Sequence, residues 1–323
     1  MVKSIDTIYG TVVRKTNKYM GTVKLPGRLS IDKARKLEHI RIKTYDRHFA
    51  EELRAIPKQF PDLDRLHPFY RALLEAYAPI DKIKEEIGRI RAIMKILASI
   101  RDEALFQITK AKTLADLKRV RRMYLGRTWD VLEKNKKTFD FLRKLHRVVR
   151  RFPRVDFNAK TVVLAGFPNA GKSTLLKALT GSEPEIAPYP FTTQDIRIGH
   201  FEHRWQKVQV IDTPGILDRD PSEMNPVELK AVAALKHLAD VIVFIFDPFQ
   251  DPAMQRDLLT KVEHLIRAPV IRVVNKADLL DDPVSAKQEF GADMVVSAQH
   301  GTGVDELRSK IIEELGWSHG RRD

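Results

Sequence analysis

Residues 161 to 173 read Thr161-Val162-Val163-Leu164-Ala165-Gly166-Phe167-Pro168-Asn169-Ala170-Gly171-Lys172-Ser173, an apolar strand-like run that passes directly into a complete G-x-x-x-x-G-K-S loop. A strand feeding a glycine loop that opens a helix is the context in which this pattern binds phosphate. Gly166 and Gly171 let the backbone take positive φ, so that N–H groups of the loop converge on phosphate oxygens at the start of a helix expected from Ser173 to Thr180. The ligand-binding stretch is thus Phe167, Pro168, Asn169, Ala170, Gly171, Lys172, Ser173 and Thr174. Lys172 is expected to bring a mobile charge to the β- and γ-phosphates, and the Ser173 hydroxyl to ligate Mg²⁺.

Three further segments follow at intervals suited to one doubly wound α/β domain. Asp212-Thr213-Pro214-Gly215 begins 46 residues after Gly166 and closes the apolar run Val208-Gln209-Val210-Ile211. Asp212 is placed to hold Mg²⁺ through water, and the Gly215 N–H to sense a γ-phosphate. Asn275-Lys276-Ala277-Asp278 follows Val270-Ile271-Arg272-Val273-Val274. The Asp278 carboxylate can accept two hydrogen bonds from guanine N1–H and the exocyclic amine; adenine offers neither, so ATP would leave the carboxylate desolvated without a partner. Asn275 would brace that loop, and the Lys276 stem would cover the face of the base. Ser297-Ala298-Gln299, 22 residues beyond Asn275, can present a backbone N–H to guanine O6.

Between the first two segments lies Tyr189-Pro190-Phe191-Thr192-Thr193, in a stretch punctuated by Pro184, Pro188 and Pro190. It reads as a loop with few buried apolar anchors, able to order when a Thr hydroxyl and a carbonyl reach Mg²⁺ and the γ-phosphate. Thr193 is taken over Thr192 for that role. Lys172, Thr193 and Gly215 are then the residues that meet the reacting phosphate. Ile216 stands where Ras-like enzymes carry the glutamine that orients water, and an aliphatic side chain cannot do so. Intrinsic hydrolysis is therefore expected to be slow, ~10⁻⁴ to 10⁻² s⁻¹.

Charge divides the chain. Residues 1 to 160 hold 39 Lys and Arg against 19 Asp and Glu, and the remainder 18 against 24, within an overall net charge of +14. The basic partner-binding surface is accordingly expected in the first half. Helical spacing there runs through Ile31 to Ile56, Pro68 to Tyr77, Ile80 to Lys110 and Leu114 to Phe152, while residues 1 to 29 alternate too irregularly to assign. In the last helix Leu117, Val120, Tyr124, Val131, Leu142, Leu145 and Val149 form an expected buried stripe, with Trp129 and Phe141 as core aromatics. Arg143, Arg147, Arg150 and Arg154, beside Lys144 and Arg151, recur at helical spacing as a ladder for nucleic-acid phosphates, and Lys118, Arg119, Arg121 and Arg122 precede them. The fold class that results is α + α/β: a basic helical bundle over residues 1–158, a doubly wound P-loop GTPase domain over 159–317, and a tail at 318–323. The sequence contains no cysteine, and no apolar run reaches membrane-spanning length. A soluble cytoplasmic protein without membrane attachment is expected; the oligomeric state is not legible.

The phosphate loop, the Tyr189 to Thr193 segment, and Val210-Ile211-Asp212-Thr213-Pro214-Gly215-Ile216-Leu217-Asp218 followed by Asn225 and Glu228 resemble the Obg-like GTPases, specifically their nucleolar GTP-binding (Nog) branch. Phe60-Pro61, Leu63-Asp64 and His67-Pro68-Phe69-Tyr70, with Leu125-Gly126-Arg127, resemble that branch's helical N-terminal domain. The resemblance covers roughly residues 40 to 317. It departs at Ser297-Ala298-Gln299, where Ser-Ala-Lys is common, and in the end of the chain near Asp323, which suggests a short archaeal-type member. It implies a GTPase acting in assembly of the large ribosomal subunit, cycling between GTP and GDP, with its helical domain among rRNA segments and ribosomal proteins of the maturing particle. Asn169 stands at the loop position that, in several related GTPases with a hydrophobic residue in place of the glutamine, ligates a K⁺ ion bridging the phosphates; the two readings of it are that K⁺ role and a brace of the loop by side-chain to backbone bonds. Two other functions fit the same motifs. One is an RNA-wedging assembly placeholder whose GTP serves to fold or dock the acidic half. The other is a GTPase of tRNA modification, although the cysteine expected of that group is absent.

Overall fold

The computed structural model describes residues 1–26, 30–192, 195–213, 217 and 220–317. Packing divides the chain into two compact units, one formed by residues 1–66 with 78–150, the other by residues 67–77 with 151 onward.

The first unit is helical. α1 (Ile5–Thr22) occupies the stretch whose periodicity was too irregular to assign, and it starts where the Ser4 hydroxyl accepts from the Thr7 amide. α2 (Ile31–Arg54) begins the same way, with Ser30 accepting from Lys33. After α3 (Pro68–Tyr77), which packs elsewhere, come α4 (Ile80–Lys110), α5 (Leu114–Lys134) and α6 (Lys136–Val149). Thr113 and Asp116 form a reciprocal capping box at the start of α5, which satisfies two amides that the first turn leaves without helical partners. Ile42, Phe49, Leu53, Ile83, Ile90 and Tyr124 are buried in the interior of this unit.

The expected single helix from Leu114 to Phe152 is two helices. Asn135 interrupts it at φ −103°, ψ 14°, and its side-chain amide donates to the Val131 carbonyl at 2.8 Å. Asn competes in this way for backbone groups that a continuous helix would use. The break and the stop at Val149 also dissolve the expected arginine ladder. Arg143 and Arg147 share α6, Arg150 caps it, and Arg151 and Arg154 lie past its end in the second unit. Arg143 pairs with Asp140, Arg119 with Asp116 and Arg121 with Glu38, whereas Lys118, Arg122, Lys144 and Arg147 are exposed. Leu117, Val120, Tyr124, Leu142 and Leu145 are buried as the stripe predicts, but Val131 and Val149 are half-buried. So are Trp129, whose ring meets Tyr9 edge-on at 5.1 Å, and Phe141, rather than core.

The second unit is a seven-stranded mixed sheet in the order β2-β3-β4-β1-β5-β6-β7 among the described residues. The chain runs β1 (Lys160–Ala165), α7 (Lys172–Thr180), β2 (Glu185–Pro188), β3 (Asp195–His203), β4 (Gln206–Asp212), α8 (Pro226–Ala233), β5 (Val241–Phe246), α9 (Pro252–Ile266), β6 (Val270–Val274), α10 (Pro283–Phe290), β7 (Met294–Val295) and α11 (Val304–Glu314). β1 pairs in parallel with β4 and β5, and β5, β6 and β7 continue in parallel, while β3 is antiparallel to β2 and β4. Burial on both faces explains why the central strands read as unbroken apolar runs. One face carries Val162, Leu164, Val208, Val210, Leu175 and Leu307; the other carries Val163, Ile211, Ile196, Phe244 and Leu235.

That second core also takes in Phe69 and Leu73 of α3, each 0% exposed, although the chain on both sides of α3 belongs to the helical unit. Packing therefore does not follow the contiguous division at residue 158 expected from charge. Two such side chains bury apolar surface worth roughly 1.5–3 kcal/mol each, enough to commit a ten-residue helix to this core. Tyr70 holds the helix there by donating to the Pro153 carbonyl at 2.8 Å and stacking on Phe152 at 5.4 Å. No described helix is long and apolar enough to cross a membrane.

Candidate functional site

The phosphate loop joins β1 to α7, and two backbone positions explain its glycines. Gly166 sits at φ +138°, where an added Cβ would lie 2.2 Å from the Ile245 carbonyl oxygen of β5. Gly171 sits at φ +94°, with an added Cβ 2.2 Å from the Asn275 side-chain nitrogen. Both the left-handed backbone and the close approach exclude any other residue. Asn169 takes φ +65°, a conformation Asn tolerates better than most residues.

Lys172 is buried, and its ammonium donates to the Gly166 and Phe167 carbonyls, both at 2.8 Å, within the loop it serves. The Ser173 hydroxyl donates to Asp212 Oδ2 at 2.6 Å across β1, and Asp212 is fully buried at the end of β4. A hydroxyl and a buried carboxylate meeting at a phosphate loop form the oxygen donor set that Mg²⁺ takes when phosphate and water supply its other ligands. The residues present thus fit the ion. Pro168, Asn169, Gly171, Lys172, Ser173, Thr174 and Arg197 line a cleft of ≈ 420 Å³, of the size of an ordinary small-molecule pocket.

The base-side residues converge as their spacing predicts. Asn275 is buried, and its side chain donates to the Ala170 carbonyl at 2.8 Å and accepts from the Ala298 amide at 2.9 Å. One amide group therefore ties together the phosphate loop, the end of β6 and the end of β7. The Ala298 N–H, one of those expected to face guanine O6, is engaged in that tie. Asp278 accepts from the Ser297 hydroxyl through Oδ1, and His300 Nε2 lies 3.7 Å from Oδ2. The Ser297 hydrogen bond, and after it one from the backbone N–H of Asp278 itself, hold the Asp278 carboxyl below its ordinary range. It is thus set as an acceptor. Gln299 follows in the same turn.

Sequence reading missed the loop after β5. Asp247 accepts from Lys276 Nζ at 2.7 Å and from Gln250 at 2.9 Å, and Gln250 also donates to the Pro168 carbonyl at 3.1 Å. Burial pushes the Asp247 carboxyl up, but these hydrogen bonds outweigh it and leave it lowered. Lys276 is anchored so that its stem lies along the loop, with its ammonium 5.8 Å from the Phe249 ring. The available signal was position alone, because ligands bind at the carboxyl ends of strands where the sheet order reverses.

Thr193 and Gly215, with Pro214 and Ile216, lie outside the described residues. Their flanks are described, and they differ from the expected weakly anchored loop. Residues 185–188 form the edge strand β2, and Tyr189, Pro190 and Thr192 are buried. Tyr189, whose phenol burial holds well above its ordinary range, donates to the Ala231 carbonyl of α8 at 2.7 Å. Its ring lies 6.4 Å from Phe69 of α3, and Phe191 stacks with Tyr77 at 6.4 Å. The anchors come from α3 and α8, which proline spacing does not reveal. The Thr192 hydroxyl donates to the Tyr189 carbonyl at 3.1 Å.

A family model described as the NOG1 N-terminal helical domain matches residues 1–156, and one described as a 50S ribosome-binding GTPase matches residues 161–276. An uncharacterised protein of Methanocaldococcus jannaschii is 34% identical over 254 residues, 77% of this chain and 71% of that protein. Nucleolar GTP-binding protein 1 of Saccharomyces cerevisiae is 28% identical over 330 residues, covering 97% of this chain and 51% of that protein. The protein of the same name from Encephalitozoon cuniculi is 31% identical, over 82% of this chain and 51% of its own length. The chain spans about half the length of these nucleolar relatives.

Proposed function

The chain belongs to the nucleolar GTP-binding (Nog) family, and from that premise we propose that it binds and slowly hydrolyses GTP as a switch in assembly of the large ribosomal subunit. The observation that carries the nucleotide reading is the Asn275 tie. It holds the phosphate loop through Ala170 and the base loop through Ala298, so one nucleoside triphosphate can be gripped at both ends.

In this reading the loop amides and the Lys172 ammonium bind the phosphates, and Asp278, oriented by Ser297, reads guanine. Ser173 and Asp212 would hold Mg²⁺, which would supply charge neutralisation for the phosphates. Thr193 and Gly215 respond to the γ-phosphate, and Asn169, facing the same cleft, would hold K⁺, which would supply the positive charge that an arginine finger otherwise brings to the transition state. The exposed cations of α5 and α6 in the basic unit contact rRNA phosphates, and ribosomal proteins of the precursor adjoin them. In a cell without a nucleolus the place of action is the cytoplasm.

The relatives' names and the ribosome-binding description of the matching model support the assembly role. Calorimetry with GTP, GDP and ATP tests the site: GTP and GDP bind with Mg²⁺ and ATP does not, and equal affinity for ATP would refute the guanine reader. Rates compared in K⁺ and Na⁺ buffers test Asn169, equal rates removing the ion. Cross-linking to RNA in cells tests the rest, since adducts confined to tRNA would overturn it in favour of the tRNA-modification reading. RNA affinity that is the same with GTP and with GDP would make the protein a placeholder rather than a switch.

A further inference from the structure

β3 and β4 are antiparallel, and their register places Arg197 opposite Asp212, Gly199 opposite Val210 and Phe201 opposite Val208. With a side-chain period of two, these three cross-strand pairs share one face of the sheet, the face covered by α7. Gly199 meets Thr180 and Leu176 of α7, and Val208 and Val210 lie in the core on that side. Ile196 and Ile198 flank Arg197 and point into the opposite core. The face thus runs through two apolar pairs and ends, at the phosphate loop, in one charged pair. Arg197 Nη1 lies 4.0 Å from Asp212 Oδ2, the oxygen that also accepts from Ser173. The Asp212 side chain is 0% exposed, that of Arg197 39%, and Arg197 lines the phosphate cleft together with residues 168–169 and 171–174.

Resting on the reading of Ser173 and Asp212 as the Mg²⁺ site, we propose that Arg197 is a positioning residue that sets the Mg²⁺ requirement for GTP binding. Its guanidinium and a divalent cation answer to the same buried carboxylate. Like charges a few ångströms apart in a partly dry cleft repel, so each weakens the hold of the other on Asp212. Arg197 competes with the ion for Asp212 Oδ2, the oxygen that Ser173 also donates to, and so raises the Mg²⁺ concentration at which the nucleotide becomes tightly held. Arginine suits this role because its charge cannot be lost by deprotonation.

The test titrates Mg²⁺ against the full chain and a fluorescent GTP analogue, reading nucleotide affinity rather than turnover. Arg197→Gln lowers the Mg²⁺ concentration at half-maximal binding by about fivefold or more, the low end of coupling between neighbouring sites. Arg197→Lys, which keeps the charge, stays within about twofold of the parent. Arg197→Met removes the charge while keeping an apolar stem, and gives the same shift should the Gln variant fold poorly. An unmoved midpoint in both neutral variants overturns the proposal. So does an equal loss of GTP affinity at every Mg²⁺ concentration, which would make Arg197 a direct phosphate ligand. Absence of GTP binding by the parent protein would instead fell the nucleotide reading on which this one stands.

Discussion

The two ends of the nucleotide site are built from different forces. At the base end Asn275, Asp278, Ser297, Asp247 and Lys276 are joined by directional hydrogen bonds that cross between three strand ends. At the switch end Tyr189 and Phe191 are held mainly by packing on Phe69 and Tyr77 of α3. Hydrogen bonds in a buried network are costly to leave half-made, so the base end has one arrangement, as the proposed guanine reader requires. Apolar contacts are non-directional and tolerate a shift of partner, which suits the response to a γ-phosphate proposed for these segments.

Phe69→Ala attacks the apolar end most heavily. Removing a fully buried phenyl should destabilise the second unit by about 3–5 kcal/mol in denaturant unfolding, and a cost below about 1 kcal/mol would mean that α3 is not part of that core. At the polar end, Asp278→Asn should weaken GTP roughly 100-fold or more, two charge-assisted hydrogen bonds being lost, and should favour xanthosine triphosphate. Unchanged base preference in competition binding would dissolve the contrast between the ends.

Tyr189→Phe tests a polar contact between the segment after β2 and α8. Losing the donation to Ala231 should cost about 1 kcal/mol of stability and leave guanine preference intact. A change in base selectivity would show that the ends are not independent. The smallest effect concerns the pair of Asp220 with Lys261 of α9. Hydrogen bonds from Lys261 and then from Ser222 lower the Asp220 carboxyl from 3.8 to about 2. Its folded value lies below its unfolded one, so the stabilisation is fully present above pH 3.8 and fades as pH falls from there toward 2. The melting advantage of the parent over Lys261→Met should be constant at higher pH and shrink across that window; an advantage that persists at pH 2 would assign it to packing of the lysine stem.

Where the backbone itself is the recognition element, local sequence suffices. The glycines of the phosphate loop, the strand run before it and the Asn275 to Asp278 segment carry their conformations in a few adjacent residues. Helix starts were legible for the same reason, as at Thr113, whereas the break at Asn135 was not, because Asn sits equally well inside a solvated helix face. The arginine spacing failed as a guide because periodicity assumes a helix that ends at Val149.

By itself, then, the sequence determined that a G-x-x-x-x-G-K-S loop and an Asn-Lys-x-Asp loop share one α/β domain behind a basic helical region, since those depend on short-range backbone geometry and on charge. Only the tertiary structure decided that α3 packs with the GTPase core, and that Arg197 faces Asp212. Amphipathic spacing says that a helix has an apolar face, not which core will bury it, because hydrophobic attraction carries no address. Strand register likewise arises from pairing between residues distant in sequence, and a slip of one residue would have turned Arg197 to the other face.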